Sequence, residues 1–114
     1  MRTPEIEKAL DEIESKNYSA ALKLLSPLAE SGSAEAICNL ATLYQSGWGV
    51  RMDGKKAVEL YQRVAQLNIR DGCLSGVAYH NLATIYTTGL PGVERDLETA
   101  HKYDELAREL GFEM

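Results

Sequence analysis

The chain has 114 residues, of which 45% are hydrophobic and 25% charged, and its formal net charge is -5 at pH 7. These values suit one globular domain that can bury a core without disulfides or a metal ion. The acidic balance disfavours a nucleic-acid partner, which would need clustered lysine and arginine. No stretch is apolar enough to predict export or membrane insertion, so we expect a cytoplasmic protein without a membrane partner.

Apolar residues recur with helical spacing along the chain, and β-branched alternation is absent. Thr3 and Pro4 open the first helix as an N-cap and a proline at the first helical position. Ser33, Asp53 and Asp96 are capping residues placed just ahead of further helical pattern. The predicted helices cover residues 4–15, 18–31, 33–46, 53–67, 75–88 and 96–110.

The chain repeats itself. The stretch NLATLYQSGWGV begins at Asn39, and NLATIYTTGLPGV begins at Asn81; a weaker third copy, AALKLLSPLAESG, lies upstream. In both clear copies a glycine, Gly47 or Gly89, follows the helical stripe, where a left-handed residue commonly ends a helix. Each copy reads as one helix-turn-helix unit that buries its apolar stripe only by stacking on a neighbour.

These features predict an all-α fold, a right-handed α-solenoid of about three stacked helix-turn-helix units. The whole chain, residues 1–114, would form a single domain of this α-α superhelix type. The units are predicted at about 4–32, 33–68 and 75–111.

The two clear copies resemble Sel-1-like repeats, which are relatives of tetratricopeptide repeats. The resemblance rests on an alanine, Asn-Leu-Ala, a tyrosine, a glycine loop ending in valine, an aspartate and an alanine-rich second helix, all in one register. The chain departs from the family pattern at Ala41 and Ala83, which replace a helix glycine, at the additional Pro91, and by an insertion within IRDGCLSGV. The resemblance implies a non-catalytic scaffold that holds another protein on a concave surface.

No arrangement of residues predicts catalysis, a metal or a cofactor. His80 and His101 fall on different predicted helices without metal-binding spacing. Cys38 and Cys73 are too few for a disulfide framework. Because Cys38 and His80 occupy equivalent repeat positions, a cysteine-dependent enzyme remains a minor hypothesis. We expect no enzymatic activity and no cofactor.

The first helix of each unit is expected to line the inner curve, where a partner would bind. If Leu40, Ala41 and Tyr44 point into the core, the remaining faces form a small polar groove for an extended peptide or a helix. Its predicted residues are Glu35, Cys38, Asn39, Thr42 and Gln45, followed in the next unit by Val77, His80, Asn81, Thr84 and Thr87.

Trp48 lies between two glycines in a loop and is a candidate anchor for a partner, because tryptophan is enriched at interface hot spots. The alternative is that its ring packs over the edge of a neighbouring repeat. At the C-terminus, the alternatives for Phe112 are that it folds back on the chain or that it marks an edge for self-association. Exposed repeat edges would permit end-to-end homo-oligomers.

The repeat register and the lack of catalytic groups favour an adaptor or scaffold that binds a protein or peptide whose identity the sequence does not give. An alternative is an immunity protein or antitoxin that neutralises a bacterial toxin or effector. The small size, the acidic charge and the stand-alone repeat block suit that alternative.

Overall fold

The computed structural model describes residues 3–67 and 72–110, which contain six helices and, besides one isolated bridge, no β-structure. The helices are α1 (Pro4–Glu14), α2 (Tyr18–Glu30), α3 (Ala34–Ser46), α4 (Gly54–Gln66), α5 (Gly72–Thr88) and α6 (Leu97–Glu109). Each helix packs on the next along the chain, and the resulting helical hairpins stack on one another. The predicted all-α solenoid is therefore confirmed. Phe112, the start of the predicted insertion and the side chain of Cys73 lie outside the described residues.

The helix starts follow the capping pattern of the sequence. Each of the four predicted N-caps accepts a hydrogen bond from the backbone amide three residues later, at 3.1 to 3.3 Å. These residues are Thr3, Ser33, Asp53 and Asp96. The Asp96 carboxylate also accepts from the Thr99 hydroxyl at 2.7 Å, and this bond holds the pKa of Asp96 below its usual value. Each cap satisfies an amide that has no partner inside its helix.

Gly47 and Gly89 end α3 and α5, as the sequence predicts. Gly47 has φ 71° and Gly89 has φ 79°, a left-handed conformation that side chains with a Cβ rarely adopt. The start of α5 was predicted wrongly, because it begins at Gly72 and not at 75. Leu74, which the prediction left outside the helix, packs against the core, so packing outweighs the low helix propensity of the nearby glycines.

The core runs along the interfaces between hairpins and combines small with large side chains. Fully buried alanines let neighbouring backbones approach closely, and fully buried large residues fill the space between them. The alanines include Ala21, Ala36, Ala41, Ala57 and Ala78. The large residues are Tyr61, Leu25, Ile37, Leu43, Leu82, Ile85 and Val64. The first and second hairpins each contribute side chains that the next hairpin covers.

Gly54, the first residue of α4, marks the closest approach between the second and third units. Its amide donates to the Pro91 carbonyl at 2.9 Å. A Cβ at this position would lie 2.5 Å from the Leu90 Cβ and 2.9 Å from the Pro91 oxygen. The additional proline in the glycine loop of the third unit therefore supplies an acceptor at the joint between units.

We predict that Gly54→Ala destabilises the protein. Alanine would raise helix propensity by about 1 kcal/mol, but overpacking against Leu90 and Pro91 should cost about 1–3 kcal/mol. Urea unfolding measures the net change in the free energy of unfolding. Lys55→Ala is the control at the neighbouring, exposed position of α4, and it should change that free energy by less than about 0.5 kcal/mol. A Gly54→Ala protein that is more stable than the wild type would contradict the close packing of this position against Leu90 and Pro91.

Candidate functional site

The predicted inner-face residues of α3 differ in accessibility. Glu35, Asn39, Thr42 and Gln45 are half-buried. Cys38, in contrast, is only 8% exposed and belongs to the core. The prediction that the Cys38 side chain lines the groove is corrected accordingly, because α3 is packed against α2, α4 and α5. Its thiol is also poorly placed to attack a substrate, which removes the main support for a cysteine-dependent enzyme.

A buried tyrosine fixes two of the inner-face residues of α3. Tyr61 of α4 is fully buried. Its hydroxyl donates to Gln45 Oε1 at 2.7 Å and lies 3.0 Å from Thr42 Oγ1. Burial raises the pKa of Tyr61, and the hydrogen bond with Thr42 opposes that rise. Thr42 and Gln45 are thus hydrogen-bonded within the second hairpin, and the Tyr61 ring fills the space between α3 and α4.

The two repeat asparagines make the same local contact. Asn39 Nδ2 donates to the Glu35 carbonyl at 2.9 Å, and Asn81 Nδ2 donates to the Val77 carbonyl at 2.9 Å. Both side chains are half-buried and fixed against their own helix. Each bond uses one amide N–H, and the amide oxygen takes no part in it.

In the described part of the third unit, no tyrosine covers the residues equivalent to Thr42 and Gln45, and a cavity lies there between α5 and α6. Thr84 and Thr87 of α5 are exposed. Their hydroxyls donate to carbonyls one turn earlier, at 3.1 and 2.7 Å. Both threonines line a cavity of about 300 Å³ between α5 and α6, which Asp104 also lines. The structure therefore brings Thr84 and Thr87 together at a concave feature, with His80 half-buried one turn before Thr84.

Trp48 lies on the joint between the first and second units. Its ring stacks on Tyr18 of α2, with 5.1 Å between ring centroids and 14° between ring planes. The side chain nevertheless remains 40% exposed. One face of the ring thus packs over a neighbouring repeat, and a role as partner anchor stays a prediction for the exposed part.

The described residues hold no ready-made metal site or membrane span. Within 3–67 and 72–110, no three His, Cys, Asp or Glu side chains are grouped as metal ligands. No helix in these ranges has the length and apolarity needed to cross a bilayer. What the inner faces of α3 and α5 offer chemically is hydrogen bonding, mainly from amide and hydroxyl oxygens.

Comparisons with known proteins agree with this architecture. The family model described as "Sel1 repeat" matches residues 12–33, 34–69 and 76–112. A crystal structure of a protective antigen of uropathogenic Escherichia coli strains, displaying an SLR fold, superposes with a TM-score of 0.77 at 23% identity. A Sel1 repeat protein from Oxalobacter formigenes superposes with a TM-score of 0.72 at 25% identity.

The two superpositions cover 94% and 91% of this chain. The chain spans only 22% of the first protein and 40% of the second. A comparison with curated proteins finds no match. Likeness to the first structure therefore concerns the fold alone.

The Tyr61 hydroxyl should contribute measurably to stability. Tyr61→Phe leaves Thr42 and Gln45 without that partner and should lower the free energy of unfolding by about 1–2 kcal/mol. Chemical denaturation checks this value. Tyr44→Phe, which removes the hydroxyl of a half-buried tyrosine in the same hairpin, is the control, and its cost should stay below about 0.5 kcal/mol. Equal costs for both variants would refute the role of the buried hydroxyl.

Stability should also fall in alkaline solution. The pKa of Tyr61 is raised by burial above the value of about 10 for tyrosine in the unfolded chain. The unfolded state therefore releases this proton first, and stability present below about pH 10 is lost as the pH rises further. Urea unfolding between about pH 9 and 11 should show a shallower loss for Tyr61→Phe than for Tyr44→Phe. Parallel curves would mean that Tyr61 does not drive the loss.

Proposed function

We propose that this chain, which belongs to the Sel1 repeat family, is a non-catalytic module that binds a protein or peptide partner across the inner faces of α3 and α5. Sel1 repeats are typically protein-interaction modules. The inner face is defined here by the predicted groove residues other than the buried Cys38. They are Glu35, Asn39, Thr42, Gln45, Val77, His80, Asn81, Thr84 and Thr87.

One packing asymmetry carries the proposal. The first helices α3 and α5 pack directly on each other. In the described part of the chain, α4 and α6 share no comparable packing, although Gln62 Nε2 donates to Tyr103 Oη at 3.1 Å. Helices that approach more closely lie on the inner side of a curved stack. This supports the first helices as the side on which a partner would be held.

The bonding of the inner face also suits a preorganised site. Asn39, Asn81, Thr84 and Thr87 each donate to a backbone carbonyl of their own helix. Such side chains lose little rotamer freedom when a partner arrives, and this lowers the entropic cost of binding. Their oxygens accept hydrogen bonds, so a partner that presents donors suits the surface better than one that presents acceptors.

The immunity or antitoxin role is a narrower version of the same proposal, supported by the small size and the acidic charge of the chain. In that role the partner would be a toxin or effector. For both roles we propose a cytoplasmic location, because the chain has only two cysteines and thiols stay reduced in that compartment. Identification of the partner separates adaptor from neutraliser.

We predict that Asn81→Arg abolishes partner binding. The longer, charged side chain would stand on the inner face of α5 and exclude a chain lying along it. Copurification from a lysate of the source organism, quantified by mass spectrometry, should show at least one protein enriched by the wild type and reduced at least about tenfold with the variant, which is about 1.4 kcal/mol of binding.

Gln66→Arg is the matched control, because it makes the same amide-to-cation change at an exposed position of the second helix α4. It should retain the enriched protein. Circular dichroism confirms that both variants stay helical. Equal capture by all three proteins would contradict the inner face as the site and favour the Trp48 loop. A toxin among the enriched proteins would select the neutraliser.

A further inference from the structure

The last described hairpin differs from the one before it at several buried positions, and one of these differences lies beside a cavity. The repeat register that pairs Leu60 with Tyr103 places Asp104 at the position of Tyr61. The two hydrogen-bonding partners of Tyr61 are Thr42 and Gln45, and their counterparts are Thr84 and Thr87. The aspartate is too short to fill the space of a tyrosine ring. The cavity of about 300 Å³ lies at this place.

The cavity has an apolar wall and a polar floor. Ala83, Leu97 and Ala100 form the wall. Asp104 lies on the floor with its side chain 19% exposed. Its Oδ2 accepts from Arg108 Nη2 at 3.1 Å, whereas its Oδ1 is buried and receives no hydrogen bond from any described residue. A buried carboxylate oxygen without a donor calls for an explanation.

Apart from the Arg108 guanidinium, which already donates to Asp104 Oδ2, the threonine hydroxyls near Asp104 offer acceptors. The hydroxyl hydrogens of Thr84, Thr87 and Thr88 are directed to helix carbonyls, at 3.1, 2.7 and 3.1 Å. Their lone pairs are left for a ligand. His101 Nε2 lies 3.1 Å from Glu105 Oε1 and is engaged there. A ligand that fits this cavity must bring several donors, and a positive charge would meet the carboxylate.

We propose that this cavity binds an arginine side chain of the protein partner. The guanidinium carries five N–H donors in a planar fork, which match the Asp104 carboxylate and the threonine oxygens. Its aliphatic stem would lie along Leu97 and Ala100. The net charge of -5 favours the approach of a basic segment. The inference rests on the proposed function and specifies the chemistry of the partner.

A second copy of this chain fits the cavity less well. In the second unit, Gly54 allows the next hairpin to approach so closely that a Cβ would clash with Leu90. Leu97 stands at the equivalent position and is 54% exposed. A further hairpin could not stack on α6 in the same manner. His101, exposed, likewise replaces Val58, which is 7% exposed under the third unit.

The test is an NMR titration of the full isotope-labelled chain with N-acetyl-arginine amide. Shift changes should be confined to the backbone amides near residues 83–88 and 97–104. The neutral isostere N-acetyl-citrulline amide should bind at least about tenfold more weakly, because it lacks the charge. N-acetyl-lysine amide should also bind more weakly, since it lacks the planar fork. Equal binding of citrulline or lysine, or shifts elsewhere, would overturn the assignment.

Variants separate the pocket from general charge attraction. Asp104→Asn should weaken the arginine probe at least about tenfold, and Asp104→Tyr should abolish binding by restoring the ring of the second unit. Glu109→Gln removes the same charge at an exposed site of α6 and should leave affinity within about twofold. Equal losses for Asp104→Asn and Glu109→Gln would refute the pocket.

Amide spectra verify the fold of each variant. The same samples are measured by sedimentation, and concentration-dependent dimers lost in Asp104→Tyr would assign the cavity to a second copy and overturn the proposal. A failed titration leaves the Asn81→Arg copurification result unaffected. The arginine-binding proposal and the proposed function are therefore tested by independent experiments.

Discussion

The structure depends on the close approach of neighbouring helical hairpins. A single hairpin cannot bury its apolar stripe, so each one needs the next as a cover. Alanines along the stripes and Gly54 at the joint keep the backbones close enough for Leu25, Ile37 and Leu82 to be fully enclosed. The capped helix starts and the left-handed glycines serve this close approach, because they let the chain turn sharply between successive helices.

The same stacking decides which polar residues remain available. In the second unit, the hydroxyl of Tyr61 uses Thr42 and Gln45 to satisfy itself in the core. In the third unit, Asp104 cannot reach across in this way, and the threonines of α5 stay exposed. Two units built on one repeat pattern therefore present different chemistry: one is closed and internally bonded, and the other is an acidic recess. Specificity in such an array can arise from a single position within a constant frame.

Much of this architecture could be predicted from the sequence, because capping residues, left-handed glycines and apolar stripes act over a few residues. The start of α5 could not, since the packing of Leu74 against the core depends on neighbours distant in sequence. The accessibility of Cys38 was misjudged for a related reason: helical periodicity gives the direction of a side chain but not how many helices surround it. The Asp104 recess was missed because it appears only when corresponding positions of two units are compared in three dimensions. The partner residues themselves remain predictions.

The stacking of Trp48 on Tyr18 has a consequence for how the array can be observed. The chain contains one tryptophan, and it lies at the joint between the first and second units. Its fluorescence therefore reports on that joint alone, whereas circular dichroism averages over all helices. In a nearly one-dimensional stack, terminal units can fray before the centre unfolds. The two signals together distinguish unfolding of the N-terminal hairpin from unfolding of the whole array. Trp48 is therefore an intrinsic fluorescence probe of how cooperatively the units unfold.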